Sequence, residues 1–123
     1  MLALAAQHYR VIIFSWLTPE ERRIWNRIHV GKTISMQVRA NRKARGLTQW
    51  GLARKAGVSW ATVQRIERWY NTDYTLKTLL KIGKALDIAL AVRFVSWLQL
   101  LSESVDVEIE PIASYRKDSL AQL

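Results

Sequence analysis

The sequence from Gln49 to Arg68, QWGLARKAGVSWATVQRIER, has the pattern of two short helices joined by a tight turn. Leu52, Ala53 and Ala56 follow the i, i+3, i+4 spacing of one apolar helix face. Gly57 comes next, and glycine most easily takes the left-handed conformation in which helices commonly end. Two helices that meet at a sharp angle around a short glycine turn form a helix-turn-helix.

The second helix of this unit is predicted over Trp60–Trp69. Ser59 precedes it in the N-cap position, where a hydroxyl accepts a hydrogen bond from an N–H two or three residues later. Val63 and Ile66 are the positions that face inward. The residues left facing outward are Trp60, Ala61, Gln64, Arg65 and Arg68.

Three segments, RGLTQ, LARKAGVS and TVQRIE, resemble the phage-repressor and Cro-like (XRE-type) helix-turn-helix family. The resemblance covers about Ser35 to Leu90, over half of the 123 residues. It implies a mostly α fold, a repressor-like bundle of about five helices, with double-stranded DNA as the partner. Together with local signals at the two ends, which the resemblance does not cover, the predicted domain organisation has an N-terminal apolar segment and helix at 1–30, the DNA-binding domain at 31–89, and a strand, short helix and tail for dimerisation at 90–123.

The resemblance and the docking of such motifs on DNA give roles to individual residues. The second helix enters the major groove with its N-terminal end, where side chains meet base edges. The candidates for base reading are Ser59, Trp60, Ala61, Gln64 and Arg65. The candidates for phosphate contacts are Gln49, Thr62, Arg68, Lys43 and Arg45, with Gln49 implied by the resemblance alone. The resemblance also implies a structural ion pair between Arg42 and Glu67.

Charge supports the same partner. The chain has a formal net charge of +9. Between Gly31 and Tyr70 there are nine basic residues and a single acidic one, Glu67. A basic helical segment of this kind is typical of a protein that binds a polyanion.

Other classes of function lack their sequence signals. The chain has no cysteine, and its two histidines are far apart, so no metal-ligand cluster is expected. No side-chain cluster has catalytic spacing and no glycine-rich phosphate loop is present, so neither an enzyme nor a cofactor is expected. The apolar N-terminal 17 residues are shorter than the roughly 20 that span a bilayer, so no membrane partner is expected. The expected location is the cytoplasm.

The regions on either side of the motif are predicted from local signals. Thr18 is placed to cap a helix over Pro19–Val30 that Gly31 ends, and a separate helix is predicted over Thr33–Arg45. Thr75 is placed to cap a further helix that extends to Asp87.

The chain after that helix changes its pattern. Ala89–Val95 alternates in the manner of a β-strand, with Leu90, Val92 and Phe94 on one side. A lone strand needs a partner edge, which is either the segment Tyr9–Trp16 or the same strand of a second subunit. The second possibility makes Leu90, Val92 and Phe94 dimerisation residues. A short helix is predicted at 97–101, and a second strand is possible at 105–109.

The function expected from these features is that of a sequence-specific transcriptional regulator, a repressor, acting as a homodimer on a palindromic operator. One alternative is the antitoxin of a toxin–antitoxin pair, with a basic toxin bound at the apolar ends and the acidic tail. The other is a protein-interaction module without specific DNA reading. That alternative is favoured by Trp60 and Ala61, which occupy positions that are often polar in the family.

Overall fold

The structure, a computed structural model, describes Ile12 and residues 15–103 of the chain. Within residues 19–103 it has five helices and no strand: α1 (Pro19–Ala44), α2 (Gln49–Ala56), α3 (Trp60–Ile66), α4 (Leu76–Leu86) and α5 (Trp97–Glu103). The prediction of a mostly α, helix-turn-helix bundle is therefore confirmed. None of the described helices is both long and apolar enough to cross a membrane.

Helix α1 begins with a capping box. The Thr18 hydroxyl accepts from the backbone N–H of Glu21 at 3.2 Å, and the Glu21 carboxylate accepts from the backbone N–H of Thr18 at 3.1 Å. Two N–H groups that a helix cannot pair internally are satisfied in this way. Pro19 occupies the start of the helix, where a missing N–H costs nothing. The predicted start of the helix is confirmed.

The prediction that Gly31 ends this helix is wrong. Helix α1 continues through Gly31 as 26 residues, so the two helices expected on either side of Gly31 are one. Gly31 is buried, and a Cβ at this position would lie 2.1 Å from the carbonyl oxygen of Trp69. Gly31 is thus a close-packing glycine that admits the backbone following α3.

The helix-turn-helix itself consists of α2 and α3. The Thr48 hydroxyl caps α2 by accepting from the N–H of Gly51 at 3.0 Å. Gly57 ends α2 in the left-handed conformation, with φ of 70° and ψ of 34°. The Ser59 hydroxyl then caps α3 by accepting from the N–H of Thr62 at 3.1 Å. Local sequence signals therefore set the bounds of α2, the turn and the start of α3.

Helix α3 is shorter than predicted. It ends at Ile66, with Glu67 as its C-cap, so Arg68 and Trp69 follow the helix instead of forming its last turn. The chain turns at this point because the Trp69 carbonyl packs against Gly31 and the Glu67 carboxylate binds Arg42. Tertiary contacts thus end α3 earlier than the sequence pattern suggests.

One buried cluster of apolar side chains is shared by the first four helices, α1, α2, α3 and α4. Leu52 from α2, Val63 and Ile66 from α3, and Leu86 from α4 are completely inaccessible to solvent. Ala53 is small where α2 and α3 cross. The other members of the cluster are Val38, Leu79, Ile82 and Ala85. This core fixes the angle between α2 and α3, which determines how the exposed side of α3 is presented.

The predicted trailing strand is absent from the described residues. Residues 89–95 make no backbone hydrogen bond with any other described part of the chain, so no ladder forms. A strand exists only where a second edge supplies those bonds. Of the other candidate edge, Tyr9–Trp16, the described Ile12 and Ser15 are helical. The possible strand at 105–109 lies outside the described residues. Helix α5 follows, with Leu100 and Leu101 buried.

Candidate nucleic-acid interface

The outer side of α3 presents three of the predicted base-reading residues. Ala61 and Arg65 are exposed, and Gln64 is half-buried. Their spacing of three and four residues places them next to one another on a single face, called here the reading face. The side chain of Arg65 makes no hydrogen bond or ion pair with another described residue. An apolar methyl, an amide and a guanidinium are thus available together for a ligand.

Ser59 and Thr62 are engaged with each other at the start of α3. Besides accepting from the N–H of Thr62, the Ser59 hydroxyl lies 2.8 Å from the Thr62 hydroxyl. Ser59 is exposed and Thr62 is half-buried. The first role of Ser59 is therefore to cap α3, and any contact to DNA would share that hydroxyl.

Trp60 does not project freely from α3. It is half-buried against the core, and its ring stacks on Trp50 with centroids 5.7 Å apart and planes 9° from parallel. Trp50 is the second residue of α2 and was not identified from the sequence. Its signal was a large apolar residue at a helix position outside the inward pattern of Leu52 and Ala53. The stack depends on the angle between α2 and α3, which no local pattern reports.

The structure brings Arg42 and Glu67 together. Arg42 Nε and Nη2 donate to the two Glu67 carboxylate oxygens at 2.8 and 2.9 Å, and Nη1 donates to the carbonyl of Leu47 at 2.8 Å. The two side chains are only 11% and 5% exposed. The pair ties α1 to the end of α3 and neutralises the single acid between residues 31 and 70.

The predicted phosphate-contacting residues differ in how free they are. Lys43 and Arg68 are exposed, and Gln49 is half-buried as the first residue of α2. Arg45 is half-buried, and its Nη1 donates to the side chain and carbonyl of Asn41 at 3.2 and 3.3 Å. Asn41 is fully buried and donates to the carbonyl of Gln37 at 2.8 Å. Arg45 is thus oriented by a polar contact that the sequence did not suggest.

The predicted dimerisation residues are placed in two ways. Leu90 is half-buried and packs against the core of its own chain. Val92 and Phe94 are exposed, Phe94 completely. Val92 and Phe94 belong to the segment between α4 and α5, outside the helix-turn-helix.

Beyond the helix-turn-helix, the described residues lack a metal-ligand cluster and include a tyrosine hydroxyl with a shifted pKa. Among the described residues no group of three or more His, Cys, Asp or Glu side chains could hold a metal ion. Burial raises the pKa of the Tyr74 hydroxyl above its ordinary value. That hydroxyl has no hydrogen-bond partner among the described residues.

The two capped helices, the glycine turn and the exposed cationic face define a helix-turn-helix protein. A family model described as helix-turn-helix matches residues 38–92, which include all of α2, α3 and α4. Over this segment the chain matches the Cro/C1-type (XRE) helix-turn-helix family, which confirms the resemblance that its motifs indicated. This family is regulatory, so the chain is a DNA-binding regulator. No curated protein and no solved structure matches the chain.

Proposed function

We propose that this protein is a sequence-specific transcriptional repressor that binds a palindromic operator in double-stranded DNA as a homodimer, in the cytoplasm. Residues 31–89 form the DNA-binding part, and the region from residue 90 mediates dimerisation. The observation that carries the proposal is the reading face. Ala61, Gln64 and Arg65 project together from a helix whose start is capped and whose end is tied to α1.

The chemistry of the reading face suits base edges in the major groove. A guanidinium prefers O6 and N7 of guanine, and an amide prefers N6 and N7 of adenine. The methyl of Ala61 fits beside the 5-methyl group of thymine. Because α3 is held by the buried core and by the Arg42–Glu67 pair, these groups are presented in a fixed arrangement, which specific recognition requires.

Contacts to phosphates would set the position of α3 in the groove. The residues proposed for this are Gln49, Thr62, Arg68, Lys43 and Arg45. With on the order of 6–10 phosphate contacts, affinity falls by roughly 10³–10⁵ between 50 and 200 mM salt. Binding to the best operator that barely changed over this range would contradict the mechanism.

Selection of bound sequences from random double-stranded DNA, followed by binding titrations, tests the reading face. Arg65→Ala is expected to weaken the selected operator by about tenfold or more while affecting random DNA much less, since one base contact carries about 1–3 kcal/mol of discrimination. Lys81→Ala is the matched control, because Lys81 is an exposed cation on α4 outside the reading face. An equal loss on all sequences in Arg65→Ala would show that Arg65 contacts phosphates only.

Association of two copies is supported by exposed apolar side chains that follow α4. Phe94 is fully exposed, and Val92 and Leu98 are about two-thirds exposed, at 66% and 64%. Val92 also lines a groove of about 460 Å³ whose other apolar lining residues include Val30, Leu76 and Leu90. Contiguous apolar surface on a small protein marks an interaction site. A second copy is the proposed occupant, since a two-fold dimer would set two reading faces about 34 Å apart, one turn of DNA.

Sedimentation of the full chain tests the dimer. The wild type is expected to be a dimer at micromolar concentration, and Phe94→Ser is expected to be a monomer that protects a single half-site in footprinting. Met36→Ser is the control, because Met36 is an exposed apolar residue on α1, away from this segment. A monomeric wild type, or a Phe94→Ser variant as dimeric as the wild type, would contradict the proposal. A small toxic protein that bound this segment in place of a second copy would favour the antitoxin alternative.

A further inference from the structure

We infer that Trp50 and Trp60 act as one apolar unit that recognises a thymine 5-methyl group in the operator; the inference rests on the proposed function. Trp60 is the first residue of α3 and Trp50 the second of α2, so the pair lies at the leading ends of the motif's two helices. In a docked helix-turn-helix the leading end of α3 meets base edges, while the helix before it crosses the sugar-phosphate backbone.

The geometry makes the pair a single surface. The two rings are nearly parallel, with an interplanar angle of 9° and a centroid distance of 5.7 Å. The body of the protein supports Trp60, which packs against the buried cluster. Trp50 is itself 68% exposed. Trp60 thus contacts both the core and a second, mostly exposed ring.

Core packing does not account for Trp50. A side chain that is mostly exposed contributes little to the burial that stabilises the fold. An exposed indole is costly to leave in water, and here it lies beside the reading face and within the most basic part of the sequence. Its stacking partner, Trp60, lies next to Ala61 and one helical turn from Gln64. A DNA duplex bound at the reading face would lie against these positions.

The chemistry of the ring restricts what it can recognise. An indole has one donor N–H and no acceptor, so it cannot distinguish base pairs through paired hydrogen bonds. The apolar feature that the major groove offers is the thymine methyl group. A rigid apolar surface at the leading end of α3 therefore selects for that methyl, and Trp50 acts as a positioning residue that fixes the orientation of Trp60.

The test uses the full chain and the operator obtained by selection, with each thymine replaced in turn by deoxyuridine, which lacks the methyl. At one position in each half-site the wild type is expected to bind about fourfold more weakly, the effect of one buried methyl. In Trp60→Leu and in Trp50→Ala, thymine and uracil at that position are expected to be bound equally. The double variant is expected to show no further change, because the two rings act together.

Two controls distinguish a loss of methyl recognition from a general loss of folding or DNA binding. Trp69→Ala removes a partly exposed tryptophan that follows α3, and it is expected to keep the thymine preference. Trp50→Ala should unfold at the same urea concentration as the wild type, since Trp50 is mostly exposed.

The failures are distinguishable. If an operator is selected and Arg65 discriminates bases but no deoxyuridine substitution changes affinity, the inference is wrong and the proposed function stands. If a deoxyuridine substitution weakens binding equally in the wild type and in both tryptophan variants, another residue recognises the methyl and the inference is wrong. If no sequence is enriched from random DNA, the proposed function fails and the inference fails with it.

Discussion

The helix-turn-helix buries the aliphatic side chains on the inner faces of its helices, whereas the trailing segment (residues 88–103) buries Leu100 and Leu101 but leaves Val92, Phe94 and Leu98 exposed. In the motif, Leu52, Val63 and Ile66 are completely inaccessible to solvent. In the trailing segment, Phe94 is fully exposed. The motif also begins each helix with a side-chain cap, whereas residues 89–95 make no backbone hydrogen bond with other described residues.

The difference shows which part of the molecule is complete by itself. Buried apolar area and satisfied backbone groups stabilise a fold without help from a partner. Exposed apolar groups contribute only when another surface covers them. The reading face therefore rests on a rigid base that one chain supplies, while the trailing segment is suited to an interaction, which we propose is with a second copy.

The largest expected contrast is between two arginine–glutamate pairs. Arg42→Ala is expected to lower the free energy of unfolding by about 3–5 kcal/mol, because it leaves the buried Glu67 carboxylate without its partner. Arg93 binds Glu103 at 2.9 Å, but these side chains are 72% and 38% exposed, so Arg93→Ala should cost less than about 1 kcal/mol. Urea unfolding followed by circular dichroism measures the difference. Equal losses would show that burial does not distinguish the two regions.

A leucine in each region gives the next contrast. Leu86→Ala should cost about 2–5 kcal/mol, since Leu86 is completely buried and its truncation leaves a cavity. Leu98→Ala should change monomer stability by less than about 0.5 kcal/mol, the usual range for a surface position. The measurement is urea unfolding at a protein concentration low enough to dissociate dimers. A large loss in Leu98→Ala under those conditions would mean that the trailing segment belongs to the core of one chain.

Gly31→Ala tests the contact between α1 and the chain after α3. Alanine would favour the helix by about 1 kcal/mol, but its Cβ would meet the Trp69 carbonyl at 2.1 Å. Overpacking of this kind costs typically about 1–3 kcal/mol, so a net loss of stability is expected. Thermal unfolding shows whether the variant is less or more stable than the wild type. A gain in stability would show that Trp69 can move away freely and that the end of α3 is not set by this contact.

Tyr74→Phe is expected to have the smallest effect. The Tyr74 hydroxyl has no hydrogen-bond partner among the described residues, so its removal breaks no hydrogen bond and should not lower the free energy of unfolding. Burial raises the pKa of this hydroxyl in the folded state, so the wild type loses stability as pH rises above the pKa of an unfolded tyrosine. Tyr74→Phe removes that loss. Urea unfolding at pH 8 and at high pH measures how much stability each protein loses between the two pH values. Equal losses in the variant and the wild type would contradict the prediction.

Prediction from the sequence succeeded where the signals are local. The caps Thr18, Ser59 and Thr75 and the turn at Gly57 each act on backbone groups within a few residues, so their positions reveal the helix ends. The same is true of the inward residues of α2 and α3. Whether the outward residues bind bases and phosphates stays a prediction, and the tests above address it.

Prediction failed where a residue's role depends on distant parts of the chain. Gly31 matched a helix end, but its neighbour is the Trp69 carbonyl, 38 residues away in sequence, which lies close only after folding. Trp50 was missed because its partner, Trp60, is on another helix. The strand predicted at Ala89–Val95 is not seen among the described residues, because alternation describes side chains, whereas a strand also requires a second backbone edge.

By itself the sequence determined the family, the two helices of the motif, its glycine turn and the concentration of positive charge around it. These follow from residue type and short spacing, since a cap or a left-handed turn is satisfied within its own segment. Only the tertiary structure decided that α1 is continuous, that Trp60 stacks on Trp50, and that Phe94 is left uncovered. Those features depend on how helices cross, and the crossing is set by the whole buried core at once.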